Sequence, residues 1–141
     1  MEVLCQGEEI KKLIPQRAPI MQVDTLFYKK ESEACCGLTI LSDNIFCQPG
    51  HFTEPGLIEH IAQSSAAMSG YSFFQNNQPA PLGFIAEIKK INIYFCPKIG
   101  EKLRTKLTIV SEVENMSLVK AETYVDDKLV AEGQMKIFIK Q

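Results

Sequence analysis

Residues 50–63 read GHFTEPGLIEHIAQ and lead into a run of apolar and small residues that extends to Phe74. Residues 57–74 contain no lysine or arginine and no continuous polar stripe, a pattern typical of a buried helix. Thr53 can cap this helix, and Pro55 suits its first turn. Residues 75–79, QNNQP, end it. We therefore expect one long buried helix at the centre of the fold.

The chain before this helix has the pattern of a short helix followed by a hairpin. Apolar spacing predicts a helix over residues 8–14 that stops at Pro15, followed by a stiff extended connector over 15–19. Residues 20–30 and 33–41 are expected to pair as antiparallel strands, with the turn at 30–32.

Four further strands are predicted after the helix, over residues 82–95, 102–113, 116–125 and 128–139. This order indicates an α+β architecture in which one curved antiparallel sheet wraps a single helix, the hot-dog fold, as one domain over residues 1–141. A long exposed sheet edge favours aggregation, so we expect a dimer whose sheets join at an edge.

Composition excludes several classes of function. With 141 residues, 45% hydrophobic content and a net charge of −2, the chain suits one globular domain and gives no electrostatic case for nucleic-acid binding. The five cysteines lack paired spacing, which favours free thiols over disulfides or a zinc site. Residues 1–9 lack a basic stretch and a long apolar run, so we expect no signal peptide, and no segment approaches about 20 apolar residues. We expect a cytoplasmic protein without a membrane span or a metal.

The residues suited to chemistry are concentrated in the quoted stretch. It holds both histidines of the chain, His51 and His60, and the carboxyl group of Glu59 in apolar surroundings. Imidazole titrates near neutrality and burial disfavours an ionised carboxyl, so a histidine and Glu59 can divide base and acid duties. His60 points about 100° around the helix from Glu59 and is expected to be packed or at an interface. For His51, a loop histidine bonded to backbone remains the alternative.

These residues form a recognisable pattern. GHF, PG and E-x-x-A-Q, at residues 50–52, 55–56 and 59–63, resemble the signature of the 3-hydroxyacyl-(acyl-carrier-protein) dehydratases of fatty-acid synthesis. Residues 14–24, IPQRAPIMQVD, resemble a second segment of that family, with Gln16 where the family usually has histidine. The connections on both sides of Pro-Gly are shorter than in those enzymes. This shortening and residues 17–19 are more similar to the dehydratase-like hot-dog proteins of aryl-polyene and flexirubin pigment clusters.

The resemblance implies dehydration of a (3R)-3-hydroxyacyl thioester on an acyl carrier protein to the trans-2-enoyl thioester. His51 would be the base and Glu59 the acid, contributed by opposite subunits of a dimer. The N–H of Gly56, at the start of the helix, could polarise the thioester carbonyl. Gln63 could orient the carboxyl of Glu59 or a water, or only satisfy a strand carbonyl. Arg17 could contact the phosphopantetheine or the carrier, or serve as a solvated or salt-bridged surface residue.

Two other functions remain open at this point. In a hot-dog thioesterase, Glu59 would act as base or nucleophile while Gln63 orients water, although the GHF motif counts against this function. Alternatively, the chain is a catalytically silent subunit that pairs with a conventional dehydratase, as the resemblance to pigment-cluster proteins allows. The expected partners are thus an acyl carrier protein and a second hot-dog subunit, identical or different. No cofactor is expected beyond the carrier's phosphopantetheine.

Overall fold

The computed structural model of the chain describes residues 3–79 and 82–140, the latter with side chains for 87–138. In these residues a short 3-10 helix and a long α-helix accompany a series of antiparallel strands. The elements are β1 (Cys5–Gln6), the 3-10 helix (Gly7–Lys12), β2 (Thr25–Lys29), β3 (Glu33–Thr39), β4 (Cys47–Gln48), β5 (His51–Phe52), α1 (Glu54–Gln75), β6 (Leu82–Ile93), β7 (Lys102–Val113), β8 (Met116–Val125) and β9 (Lys128–Lys140).

Seven of these strands form one antiparallel sheet in the order β1-β2-β3-β7-β8-β9-β6, while β4 and β5 pair separately. The predicted bounds of β7 and β8 are confirmed to the residue, and β9 ends one residue later than expected. Asp126, in the turn between β8 and β9, has a φ of 53°. Tight hairpin turns require such positive φ values, and aspartate tolerates them.

Strand β2 is shorter than the sequence indicated, because it begins at Thr25 and not at residue 20. Residues 18–20 form a turn, in which the N–H groups of Ile20 and Met21 donate to the carbonyl of Arg17 at 3.0 and 3.1 Å. The N–H and the carbonyl of Gln22 are bonded by side chains of α1. The backbone polar groups of Gln22 are therefore occupied by the helix, and the predicted strand is wrong before Thr25. The predicted extended connector is wrong at residues 18 and 19, which belong to the turn.

Helix α1 is buried mainly on the side that faces the sheet. Ile61 and Met68 pack into a cluster with Leu107 and Met135, and Leu57 packs into a second cluster around Phe52. At Gly70 a Cβ would overlap the carbonyl oxygen of Leu13, so glycine lets the helix lie directly on that backbone. The prediction of a long buried helix is confirmed for this side.

The other side of α1 is only half-buried. Its members are Ile58, Glu59, Ala62, Ala66 and Ser69, which recur at helical spacing and are apolar or small apart from Glu59. We call these five residues the open strip. The carboxyl group of Glu59 thus lies on a side of the helix that this chain alone does not cover fully.

Within the described residues, no helix combines the length and apolar character needed to cross a membrane.

Candidate active site

His51 lies in β5, a strand of two residues held between two neighbours. On one side β5 pairs with β4, where Gln48 is opposite His51. On the other side the N–H of Phe52 donates to the carbonyl of Pro97 at 2.7 Å, and His51 forms a bridge with Lys98. These main-chain contacts fix the backbone of His51 while its side chain remains half-buried.

A cavity of about 470 Å³ opens beside His51 at the start of α1. Its lining residues are Ile45, Phe46, Cys47, Gln48, His51, Thr53, Glu54, Pro55 and Cys96. The first turn of a helix presents unbonded N–H groups and a partial positive charge, which suits a developing oxyanion. An imidazole and the helix end therefore share one cavity. The helix end is suited to binding a carbonyl group, and an imidazole is suited to removing a proton from the neighbouring carbon.

The sequence did not indicate that two cysteines line this cavity. All five cysteines are free thiols, and three of them, Cys5, Cys35 and Cys36, are buried. Cys47 is half-buried and Cys96 is exposed. Burial raises the pKa of both cavity thiols, with additional effects from Asp43 on Cys47 and from Glu54 on Cys96. Cys96 lies beside His51 because residues 97 and 98 contact β5, a tertiary contact that no local pattern encodes.

Gly56 lies in the first turn of α1, as predicted, and is buried against two phenylalanines. A Cβ at this position would lie 2.6 Å from Cζ of Phe52 and 2.7 Å from Cβ of Phe46. The absence of a Cβ therefore allows this close packing. Its role in polarising a carbonyl stays a prediction.

Thr53 precedes the helix as expected but does not cap it through its side chain. Its Oγ1 donates instead to the carbonyl of Phe46 at 2.6 Å, and its N–H reaches the same carbonyl at 3.0 Å. The predicted side-chain cap is wrong because the nearby Phe46 carbonyl takes the hydroxyl proton. Thr53 thus ties the cavity loop to the helix start.

Glu59 is held by Gln63, one helical turn further along α1. Nε2 of Gln63 donates to Oε2 of Glu59 at 2.8 Å and to the carbonyl of Ile20 at 2.9 Å. Oε1 of Gln63 accepts the N–H of Gln22 at 2.6 Å. Gln63 therefore bonds the carboxyl of Glu59 and a main-chain carbonyl, which belongs to a turn and not to the expected strand, and a role of Gln63 in the reaction stays a prediction.

His60 is fully buried and hydrogen-bonded through both ring nitrogens. Nδ1 lies 2.7 Å from the carbonyl oxygen of Gln22, and Nε2 lies 2.8 Å from Oγ1 of Thr105 in β7. Burial lowers the pKa of His60 to about 4, although the hydrogen bond to Gln22 and the charge of Asp24 act in the opposite direction. The prediction of a packed histidine is confirmed.

Arg17 makes main-chain contacts at the end of the 3-10 helix. Its guanidinium donates to the carbonyls of Ile14 and Gln16 at 2.8 Å each and to that of Lys11 at 3.0 Å. These bonds give it a local structural role on an exposed surface. A contact with the carrier protein stays a prediction.

The structure separates the candidate residues into two groups. Glu59 is bonded to Gln63 along α1, and Gln63 is bonded to Gln22, while His51 lies in β5 and Gly56 is buried in the first turn of α1. Among the described residues that line the His51 cavity, Glu59 does not occur. Within one chain, the carboxyl of Glu59 therefore lies outside the cavity that the imidazole of His51 lines.

Comparisons with known proteins give this arrangement a context. A family model described as ApeP-like, ApeP dehydratase, matches residues 8–141. The 3-hydroxyacyl-(acyl-carrier-protein) dehydratase FabZ of Campylobacter fetus is 31% identical over 144 residues, covering 93% of this chain and 95% of the relative. FabZ of Wolinella succinogenes is 30% identical over 149 residues, covering 97% of each. Among solved structures, the dehydratase heterocomplex ApeI:P from Xenorhabdus doucetiae aligns with a TM-score of 0.86 at 17% identity, covering 94% of this chain and 91% of that chain.

Fold and sequence together define a hot-dog dehydratase. The chain belongs to the ApeP-like dehydratase family, which confirms the resemblance carried by the two motifs.

Proposed function

We propose that this chain dehydrates a (3R)-3-hydroxyacyl thioester carried by an acyl carrier protein, giving the trans-2-enoyl thioester and water. The observation that carries the proposal is the geometry around Glu59. Its carboxyl accepts a hydrogen bond from a glutamine amide that is itself anchored to two main-chain groups. A carboxyl held in this way on the open strip is positioned for proton transfer. The curated relatives act on such substrates according to their names.

The reaction needs three groups, and the chain offers one candidate for each. Neutral His51 takes the proton from C2 of the acyl chain. The N–H of Gly56 stabilises negative charge that develops on the thioester oxygen. Protonated Glu59 gives its proton to the C3 hydroxyl, which leaves as water, and Gln63 keeps the carboxyl in place. The imidazolium and the carboxylate exchange a proton through solvent before the next turnover.

The two reacting side chains come from opposite subunits in this proposal. Strand β6 is an edge of the sheet, with β9 as its neighbour, and it carries Ile88 with 44% of its surface exposed. The open strip adds half-buried apolar surface from Ile58, Ala62 and Ala66. Pairing of β6 with the same strand of a second copy would satisfy the edge and cover this surface. We therefore propose a homodimer, and a heterodimer with another hot-dog chain is the alternative outcome.

The chemistry involves proton transfer and loss of water, so the proposed reaction uses no redox cofactor or metal. The carrier's phosphopantetheine would enter the His51 cavity and deliver the thioester to the start of α1. We place the reaction in the cytoplasm, where free thiols such as Cys96 persist.

Hydration of crotonyl thioester by the purified chain, measured as loss of enoyl absorbance, tests the proposal in the reverse direction. We expect His51→Ala and Glu59→Gln each to lower the rate by about 100-fold or more, while the exposed control Glu112→Gln retains it. Activity that survives both site changes would overturn the mechanism. Release of free thiol without enoyl chemistry would instead indicate a thioesterase. Activity that requires a second hot-dog chain and ignores His51→Ala would indicate a silent subunit.

A further inference from the structure

We propose that His60 is a positioning residue for the reaction, acting through the backbone at Gln22 and the amide of Gln63 to hold the carboxyl of Glu59. The proposal rests on the proposed function, in which Glu59 is the acid. The ring of His60 is bonded to Gln22 and Thr105 and not to the carboxyl of Glu59, and it does not line the His51 cavity.

The hydrogen bonds around His60 determine its tautomer. The carbonyl oxygen of Gln22 can only accept, so Nδ1 carries the proton and donates to it over 2.7 Å. In the neutral ring Nε2 must then accept, and the hydroxyl of Thr105 donates to it over 2.8 Å. Thr105 in turn accepts from the hydroxyl of Thr123 in β8 over 2.7 Å. One arrangement of protons therefore satisfies all three hydrogen bonds that connect Thr123 in the sheet to Gln22 in the loop.

Gln22, in the loop before β2, is hydrogen-bonded to both His60 and Gln63. His60 fixes the carbonyl of Gln22, and the N–H of the same residue donates to Oε1 of Gln63 at 2.6 Å. With Oε1 turned towards Gln22, Nε2 faces the carbonyl of Ile20 and the carboxyl of Glu59. A flipped amide would place Oε1 against the carbonyl oxygen of Ile20 and Nε2 against the N–H of Gln22, so neither of these two bonds could form. The orientation of the amide that holds Glu59 therefore depends on the position of Gln22.

His60 is suited to this task because it connects three parts of the fold. It extends from α1 to the loop before β2 on one side and to β7 on the other. All of the side chains in this connection apart from Glu59 are buried, where a hydrogen bond left unmade cannot be replaced by solvent. The loop thus has little freedom to move Gln22 while His60 keeps both bonds.

Activity measurements on His60 variants test the proposal by separating kcat from KM. Leucine removes both hydrogen bonds, whereas asparagine places an amide nitrogen near the position of Nδ1 and keeps a donor for Gln22. We expect His60→Leu to lower kcat by about 10-fold with KM nearly unchanged, because a small displacement of a reacting group is costly. His60→Asn should restore most of kcat. Ser65→Ala removes another buried hydroxyl of α1, bonded to the carbonyl of Ile61, and should leave kcat unchanged.

A double-mutant cycle with Gln63→Leu tests the route of the effect. If His60 acts through Gln63, adding His60→Leu to Gln63→Leu should lower kcat no further. Multiplied effects would overturn the proposal, because independent structural damage is additive in free energy. Thr105→Val, which removes the donor to Nε2 and keeps the side-chain volume, provides the same test if His60→Leu does not fold.

A readout without catalysis separates this proposal from the proposed function. The side-chain amide protons of Gln63, observed by nuclear magnetic resonance, should exchange slowly in the unaltered protein and in Ser65→Ala. They should exchange faster and shift in His60→Leu and Thr105→Val. Unchanged Gln63 signals in both variants would overturn the role of His60. Full activity in Glu59→Gln would instead overturn the proposed function and, with it, any catalytic meaning of the network.

Discussion

The surroundings of Glu59 and of His51 differ in how completely one chain builds them. Gln63, which holds Glu59, is fully buried, and its side-chain oxygen accepts one hydrogen bond while its nitrogen donates two. His51 lies in a strand of two residues beside a cavity of about 470 Å³. The difference teaches that the proposed acid is oriented within the chain, whereas the proposed base is left accessible to substrate and to a second subunit.

The largest expected effect is the loss of activity when the cavity beside His51 is blocked. Alkylation by a maleimide at Cys96 and Cys47 should fill the cavity beside His51 and abolish nearly all activity. Because burial raises the pKa of both thiols, the reaction should accelerate as the pH rises above neutrality. Mass spectrometry should find Cys5, Cys35 and Cys36 unmodified in the folded protein. A Cys47→Ala, Cys96→Ala variant that is still inactivated would contradict the assignment of the cavity.

The buried imidazole of His60 should make the stability of the protein depend on pH. Burial lowers the pKa of His60 from 6.5 to about 4, so between these values the unfolded chain binds a proton that the folded chain does not. Stability is therefore lost as the pH falls from 7 towards 4, by up to about 3 kcal/mol from this residue. Urea unfolding of the unaltered chain and of His60→Leu across this range measures the difference. Parallel curves for the two proteins would contradict the neutral buried histidine.

Packing at the boundary between the two halves should give a smaller effect. Gly56→Ala places a methyl group against Phe46 and Phe52, and overpacking of this kind costs about 1–3 kcal/mol. Thermal unfolding should show the loss, and Phe46→Leu should recover part of it in the double variant by making room. A Gly56→Ala protein as stable as the parent would show that the helix start is loosely packed.

The smallest effect is expected at the exposed end of the 3-10 helix. Arg17→Gln removes three hydrogen bonds to main-chain carbonyls that solvent can partly replace, so stability should fall by less than about 1 kcal/mol. The ratio of KM values for carrier-linked and coenzyme-A-linked substrates should stay the same. An increase for the carrier-linked substrate alone would show that Arg17 contacts the carrier.

Much of the fold could be predicted because local pattern and tertiary structure agree there. Strand alternation and turn residues defined β7 and β8 to the residue, and the absence of basic residues identified α1. The pattern failed where a distant group competes for a backbone or side-chain bond. The Thr53 hydroxyl binds Phe46 instead of capping the helix, and Gln22 is held by α1 instead of by a strand.

The sequence predicted the candidate residues of the site but not the hydrogen bonds that connect them. The motif identified His51, Gly56, Glu59 and Gln63, and helical spacing separated His60 from Glu59 on the helix surface. The partners of His60 were not predictable, since Thr105 lies 45 residues away and is an ordinary strand residue by sequence. Buried hydrogen-bond networks join residues by geometry, and single-sequence periodicity carries no information about such pairs.

Complementation between two inactive variants tests the shared site most directly. His51→Ala and Glu59→Gln chains, co-expressed with different tags and purified as a mixed dimer, contain one doubly altered site and one intact site if each site uses both subunits. The mixed dimer should then show about half of the activity of the unaltered dimer. A mixed dimer as inactive as either parent would contradict a site built from His51 of one subunit and Glu59 of the other.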